Sequence, residues 1–176
     1  MAWFKKARKP IAPSSAAEKP SRVPEGLWVK CPGCAQIIYN KDLDRNHQVC
    51  PKCAYHFRIG ASDRLRALFD DGEWTEHFSG LTSNDPLAFT DTKPYRDRLR
   101  STIAKTGMND ALIVATGRLD GLDVVMAAME YAFIGGSMGV VVGEKITRAV
   151  EMAHEKRQPV IVISCSGGAR MMEGTL

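Results

Sequence analysis

Two cysteine pairs, Cys31-Pro-Gly-Cys34 and Cys50-Pro-Lys-Cys53, stand fifteen residues apart and constrain this chain more than any other feature. Two residues between cysteines allow a tight turn to aim both sulfurs at one point, and Pro32, Gly33, Pro51 and Lys52 suit such turns. Doubled at this spacing, the motif predicts a four-thiolate zinc ribbon with Cys31, Cys34, Cys50 and Cys53 as ligands to one structural Zn2+. Between the knuckles, Gln36–Tyr39 reads as a strand, Asn40-Lys41-Asp42 as a turn, and Asn46–Val49 as the return. So little apolar material needs the ion to stay folded. Disulfide pairing is the competing reading. Against it, no hydrophobic signal peptide precedes the cysteines, and the fifth, Cys165, has no evident partner. His47 and His56 are read as surface residues because the set of sulfurs is already complete.

With 176 residues, 44% of them hydrophobic, the chain can bury one moderate core beside such a module. No apolar run approaches a membrane span, so a soluble, cytoplasmic protein without membrane contacts is expected. The net charge of +4 is concentrated at one end: residues 1–30 hold seven Lys/Arg and two Asp/Glu. Residues 1–24 are read as a disordered basic tail rich in Pro and Ser. The ribbon is assigned to 25–60 and an α/β core to 61–176.

Within the core, Ser62 is expected to cap a short helix with Leu65, Leu68 and Phe69 on its apolar stripe, ended by Gly72 and covered by Trp74 and Phe78. A second helix is expected from a Thr92 cap and Pro94, with Tyr95, Leu99 and Ile103 on one face and Gly107 after its end. Arg96, Arg98, Arg100 and Lys105 form its other face, read as solvated, with contact to phosphates as the alternative. Leu112–Thr116 and Val124–Phe133 flank Asp120-Gly121 as a strand pair. A glycine turn, Gly135–Gly139, then leads into a helix with Ile146, Ala149, Val150 and Ala153 on one stripe. Pro159–Ser164 reads as a buried strand that runs into a second glycine turn, Ser166–Arg170, and a new helix near Met171.

The first turn is not a P-loop, because Gly139 and Gly143 lead into Glu144-Lys145-Ile146, and it also lacks the dinucleotide fingerprint. Ser164, Cys165 and Ser166 occupy a strand-to-helix elbow, yet Ser166 lacks the Gly-x-Ser-x-Gly frame and has no base nearby in sequence. Gly167 and Gly168 have two readings from spacing alone. Their N–H groups form an oxyanion hole, or the glycines merely permit close packing.

The segments Gly26-Leu27-Trp28-Val29-Lys30, Arg58-Ile59, Phe133–Lys145 and Ser166–Gly174 together resemble the carboxyltransferase beta-subunit family of bacterial-type acetyl-CoA carboxylases. The resemblance runs from Gly26 to the last residue. It implies a crotonase-like (ClpP/crotonase) core of repeated strand-strand-helix units with the ribbon at its N-terminal edge. It further implies transfer of carboxyl from carboxybiotin, carried on a biotin carrier protein, to acetyl-CoA, giving malonyl-CoA for fatty acid synthesis. The partners so implied are a carboxyltransferase alpha subunit in an alpha2beta2 assembly, the biotin carrier protein, and biotin carboxylase in the larger complex. Gly167 and Gly168 would then donate backbone N–H groups to the thioester enolate, and Gly135, Gly136, Ser137 and Gly139 would shape the substrate-binding wall. Arg170 is expected to anchor its loop or a subunit interface. The family continues past the point where this sequence stops, so an incomplete core, inactive and poorly stable by itself, is expected. Two other readings are a nucleic-acid-binding module, from a ribbon beside a basic tail, and a carboxyltransferase for another acyl-CoA such as propionyl-CoA.

Overall fold

The computed structural model describes residues 26–174; the expected basic tail, 1–24, lies outside them. The ribbon opens with two short strands, β1 (Trp28–Lys30) and β2 (Ile37–Tyr39), paired antiparallel from Trp28↔Tyr39 to Lys30↔Ile37. Where a turn was expected at Asn40–Asp42, the chain forms a helix, α1 (Asn40–Arg45). Burial of Leu43 at 3% exposure draws the segment inward, and Asp42 in the first turn with Arg45 in the last suits the helix dipole. Ile38, Leu43, Val29 and Phe57 with Cys31, Cys34 and Cys50 make up the ribbon's apolar cluster among the described residues.

A helix α2 (Ala61–Leu68) follows. Ser62 does not cap it: the Ala61 N–H donates instead to Glu130 Oε2 at 2.8 Å, so the cap comes from 69 residues further along the chain. Leu65 and Phe69 are buried, Leu68 is exposed, and Gly72 closes a separate short turn, Asp70–Gly72. Trp74 stacks on Phe69, but Phe78 packs on the opposite side of the molecule. After β3 (Thr75–His77), helix α3 (Tyr95–Thr106) has Pro94 immediately before its first residue, so Thr92 is no cap either. Asp91 holds this approach, accepting from the Lys93 N–H and from Arg98. Tyr95 and Leu99 are buried as expected, and Gly107 ends the helix.

Strands β4 (Leu112–Leu119) and β5 (Leu122–Met129) form a hairpin about Asp120-Gly121, both at positive φ. Helix α4 (Val140–Lys156) crosses from β5 to β6 (Val160–Ile163), which pairs parallel to β5. The sheet order is β3-β4-β5-β6. Alternate residues serve two cores. Leu112, Val114, Val125, Ala127 and Met129 face α3 and α4, while Ile113, Ala115, Val124, Met126 and Ala128 face α2 and Phe69. Burial on both faces explains why β4 and β5 read as continuous apolar runs rather than alternating ones.

Three further expectations are corrected. The buried stripe of α4 is Val141, Val142, Lys145, Ala149 and Ala153, leaving Val150 49% exposed. Strand β6 lies at the sheet edge and is only half-buried, with Val162 45% exposed. In place of a helix near Met171 there is a single tight turn, Met171–Glu173. Ribbon and core meet where Arg58 lies 3.6 Å over the Tyr131 ring, next to Glu130. Among the described residues, no helix is long and apolar enough to cross a membrane.

Candidate functional site

The two knuckles are near copies of each other. The Ala35 N–H donates to Cys31 O at 2.8 Å and the Ala54 N–H to Cys50 O at 2.9 Å, while Cys31 and Cys50 donate to Gln36 O and Tyr55 O. All four Sγ atoms lie within 4.8 Å of one another, and neither His47 nor His56 joins them. Cys31 and Cys53 are separated by 3.7 Å, Cys34 and Cys50 by 3.8 Å. A tetrahedron of Zn–S bonds of about 2.3 Å has an edge of about 3.8 Å, so the donor set fits one zinc ion. Ionisation points the same way. Although desolvation opposes it, N–H groups of Lys52 and Cys53 and the neighbouring thiols draw Cys50 down to about 7. Cys53, despite the Tyr55 N–H, is pushed up to about 12 by desolvation and the other three sulfurs. Sulfurs this close ionise together only around a cation.

In the core, the fold brings the two glycine turns face to face. The Gly167 N–H donates to Gly135 O (2.9 Å), the Met138 N–H to Gly168 O (2.9 Å) and the Arg170 N–H to Met138 O (2.8 Å). In the first turn, backbone closes Gly136 to any side chain, and the Glu173 carboxylate crowds Gly139. A Cβ on Gly136, which has φ +64°, would stand 2.1 Å from Cys165 O, and one on Gly139 would stand 2.2 Å from Glu173 Oε2. Both glycines are buried, so they shape the turn through their lack of a side chain. In the second turn, Gly167 is exposed and Gly168 half-buried. The Gly168 N–H donates to Ser166 Oγ at 3.0 Å.

Beneath the turns lies a polar network only partly foreseen. Arg170, 1% exposed, makes a bidentate pair with Asp110 (2.7 and 2.9 Å) and also donates to Ser137 Oγ (3.1 Å), Ser137 O (2.8 Å), Glu173 Oε1 (3.2 Å) and Tyr95 Oη (3.2 Å). Glu173 in turn accepts from the Tyr95 hydroxyl and, at 2.7 Å, from the Val140 N–H that opens α4. Arg170 is thus an internal anchor of its loop. Burial opposes its charge, but the Asp110 carboxylate and the Tyr95 hydroxyl outweigh that and raise its pKa. Burial, then the bond to Glu173, pushes Tyr95 up to about 12. Burial alone would raise Glu173, yet the nearby Ser83 hydroxyl, then the Tyr95 hydroxyl, the Val140 N–H and Arg170, hold it below the usual carboxylate range.

Lys145 completes the group. Its Nζ, on a side chain 2% exposed, donates to Leu112 O at 2.8 Å and lines a cavity of about 430 Å³ with Glu76, Asn109 and Asp110. Burial lowers its pKa, with Glu76 and Asp110 opposing. Among the described residues, the four buried charges, Asp110, Lys145, Arg170 and Glu173, balance two against two. Sequence reasoning passed over Asp110, Lys145 and Glu173. Their signal was a charged residue set within or against an apolar run.

Residues 28–53 match the acetyl-CoA carboxylase zinc finger domain and residues 81–176 the carboxyl transferase domain. The acetyl-coenzyme A carboxylase carboxyl transferase subunit beta of Pelobacter propionicus is 51% identical over 176 residues, all of this chain and 61% of that protein. That of Pedobacter heparinus is 49% identical over 173 residues, 98% of this chain and 61% of its own length. The chain therefore spans about three fifths of the length of these relatives. Among solved structures, transcarboxylase 12S with hydrolyzed methylmalonyl-coenzyme A bound aligns with a TM-score of 0.53 at 24% identity, over 66% of this chain and 20% of that one. A single-chain, multi-domain long-chain acyl-CoA carboxylase aligns with a TM-score of 0.53 at 19% identity, over 68% of this chain and 12% of that one. At these identities the likeness establishes the fold, which is the crotonase-like one.

Proposed function

The chain belongs to the carboxyl transferase family, and from that membership we propose that it forms the acetyl-CoA side of the carboxyltransferase of acetyl-CoA carboxylase. In this reading the protein carries a carboxyl group from carboxybiotin to acetyl-CoA, giving malonyl-CoA, in the cytoplasm. Carboxybiotin, delivered on a biotin carrier protein, supplies both the carboxyl group and the nitrogen base for the methyl proton. The chain's own task is to bind the thioester and stabilise the charge that develops on its oxygen. Preorganised main-chain donors do this without reorganisation during the reaction. Gly167 and Gly168 are the proposed donors, and Gly168 is the more readily freed. Its N–H is held by a hydroxyl that can rotate away, whereas the Gly167 N–H ties the turn to Gly135. Gly135, Gly136, Ser137 and Gly139 form the facing wall.

The observation that carries this reading is the ladder joining the two glycine turns through Met138, which concentrates main-chain polar groups at one exposed place. An alpha subunit would complete the site in an alpha2beta2 assembly, with biotin carboxylase in the larger complex. Cys31, Cys34, Cys50 and Cys53 would hold a structural zinc whose filled shell leaves no position for substrate. The test is malonyl-CoA formation by the chain extended to its relatives' length and assembled with an alpha subunit, with propionyl-CoA as competitor. Turnover with acetyl-CoA preferred is expected, and residues 1–176 alone are expected to give none. Preference for propionyl-CoA would reassign the substrate, and no transfer to either would refute the reading.

A second reading rests on one surface of the ribbon. Trp28, 54% exposed, leans on Tyr39 at 5.1 Å beside Ile37, which is 71% exposed. With Lys30 two residues from Trp28 and Lys52 lining the same surface as Trp28, Ile37 and Tyr39, this surface is suited to stacking bases of a single-stranded nucleic acid. Binding that weakens steeply with salt and is lost in Trp28→Ala would support it; binding indifferent to both changes would refute it.

A further inference from the structure

The four cysteines and the glycines are assigned roles above, whereas the residue with the most side-chain hydrogen bonds in the described structure is Arg170. Resting on the carboxyl-transfer reading, we propose that Arg170 is a positioning residue: its guanidinium sets the register between the two glycine turns and the direction in which the Ser137 hydroxyl points. The argument begins with chemistry. A guanidinium offers five N–H groups in a rigid plane and accepts none. Here that plane is used in full. Nε and Nη2 hold Ser137 Oγ and O in the first turn, and Nη1 and Nη2 grip Asp110 at the head of β4. Glu173, the remaining anion, secures the start of α4 through the Val140 N–H.

Arg170 also belongs to the second turn, where its own N–H donates to Met138 O. One residue therefore holds the second turn by its backbone and the first by its side chain. Its charge is matched locally by Asp110 and Glu173, so its influence on a reacting thioester is geometric. Ser137 follows from the same bond. Because Oγ accepts from Nε–H, its own proton is directed away from Arg170, and half-buried Ser137 presents a hydrogen-bond donor alongside the turns.

The test uses the full-length chain assembled with its alpha subunit. Arg170→Lys keeps the charge and loses the planar fork. Its kcat should fall about 100-fold, with KM for acetyl-CoA within about threefold. Amide exchange at Met138, Gly167 and Arg170 should speed about tenfold or more, while β4 and β5 amides stay unchanged. Wild-type kcat, or wild-type exchange in both turns of a folded variant, overturns the proposal. Should Arg170→Lys not fold, Ser137→Ala decides, with kcat expected to fall about five- to tenfold and exchange around Met138 to rise. No change in either measurement overturns the proposal. Exchange is read without substrate, so an enzyme inactive on acetyl-CoA would refute the proposed function and still leave the role of Arg170 to be judged.

Discussion

The ribbon and the glycine-turn site solve one problem by opposite means. Each must hold two sharp turns against each other. The ribbon has a few apolar side chains and four converging sulfurs, so its turns are held by an ion that the chain does not encode. The core gathers side chains from Tyr95 to Glu173 about one guanidinium, so its turns are held by the chain itself. A turn held by an ion depends on metal supply and redox state. A turn held by a buried network depends on every member remaining paired, because a buried charge that loses its partner costs more than the pair contributes.

Removing the ribbon's ion should break this contrast most sharply. A strong chelator, or Cys50→Ser, is expected to unfold residues 28–57 while the sheet survives, since structural zinc binding in such modules is worth about 10–16 kcal/mol. Loss of ribbon amide protection in exchange experiments, with β4 and β5 still protected, would show it; an unchanged ribbon would refute the ligand assignment. Next in size is Gly136→Ala, which puts a Cβ against Cys165 O at positive φ. About 2–6 kcal/mol of destabilisation is expected from strain and overpacking together, measured by urea unfolding. Asp110→Asn keeps the shape and removes the charge that faces Arg170. It should cost about 3–5 kcal/mol by the same measurement and leave zinc content unaltered, which separates the two regions.

The smallest effects are expected from pH. The lowered pKa of Glu173 means that its contribution is present above the ordinary carboxylate range and is lost as pH falls through the lower native value. The raised value of Tyr95 works at the other end. Its contribution is complete below about 10 and fades as pH rises towards the native value of about 12. Tm measured against pH should therefore fall on both sides, with Tyr95→Phe flattening the alkaline side and, because the same hydroxyl helps lower Glu173, making the acid side shallower as well.

The two regions also differ in how far they could be read from the sequence. Zinc thiolate chemistry permits few residue types at few spacings, so Cys31 to Cys53 could be placed before any coordinates were known. The hairpin at Asp120-Gly121 was legible for a similar reason, because its turn demands particular residues. Helix starts were not. Ser62 and Thr92 have the right side chains, but Glu130 reaches Ala61 from another element and Pro94 sets the start of α3. The network around Arg170 was hidden because its members share no local spacing, only a common destination. Arg170 could be read as an anchor, and what it anchors became visible only when β4, α3 and both turns converged.

The stacking of Arg58 on Tyr131 carries a consequence for how the molecule transmits force. Tyr131 follows Glu130, which caps α2, and only three residues separate it from Gly135 in the first glycine turn. The metal-bound module is therefore mounted on the same short stalk that delivers the chain to the proposed thioester pocket. A tilt at one end of that stalk has almost no slack in which to dissipate before it reaches the other.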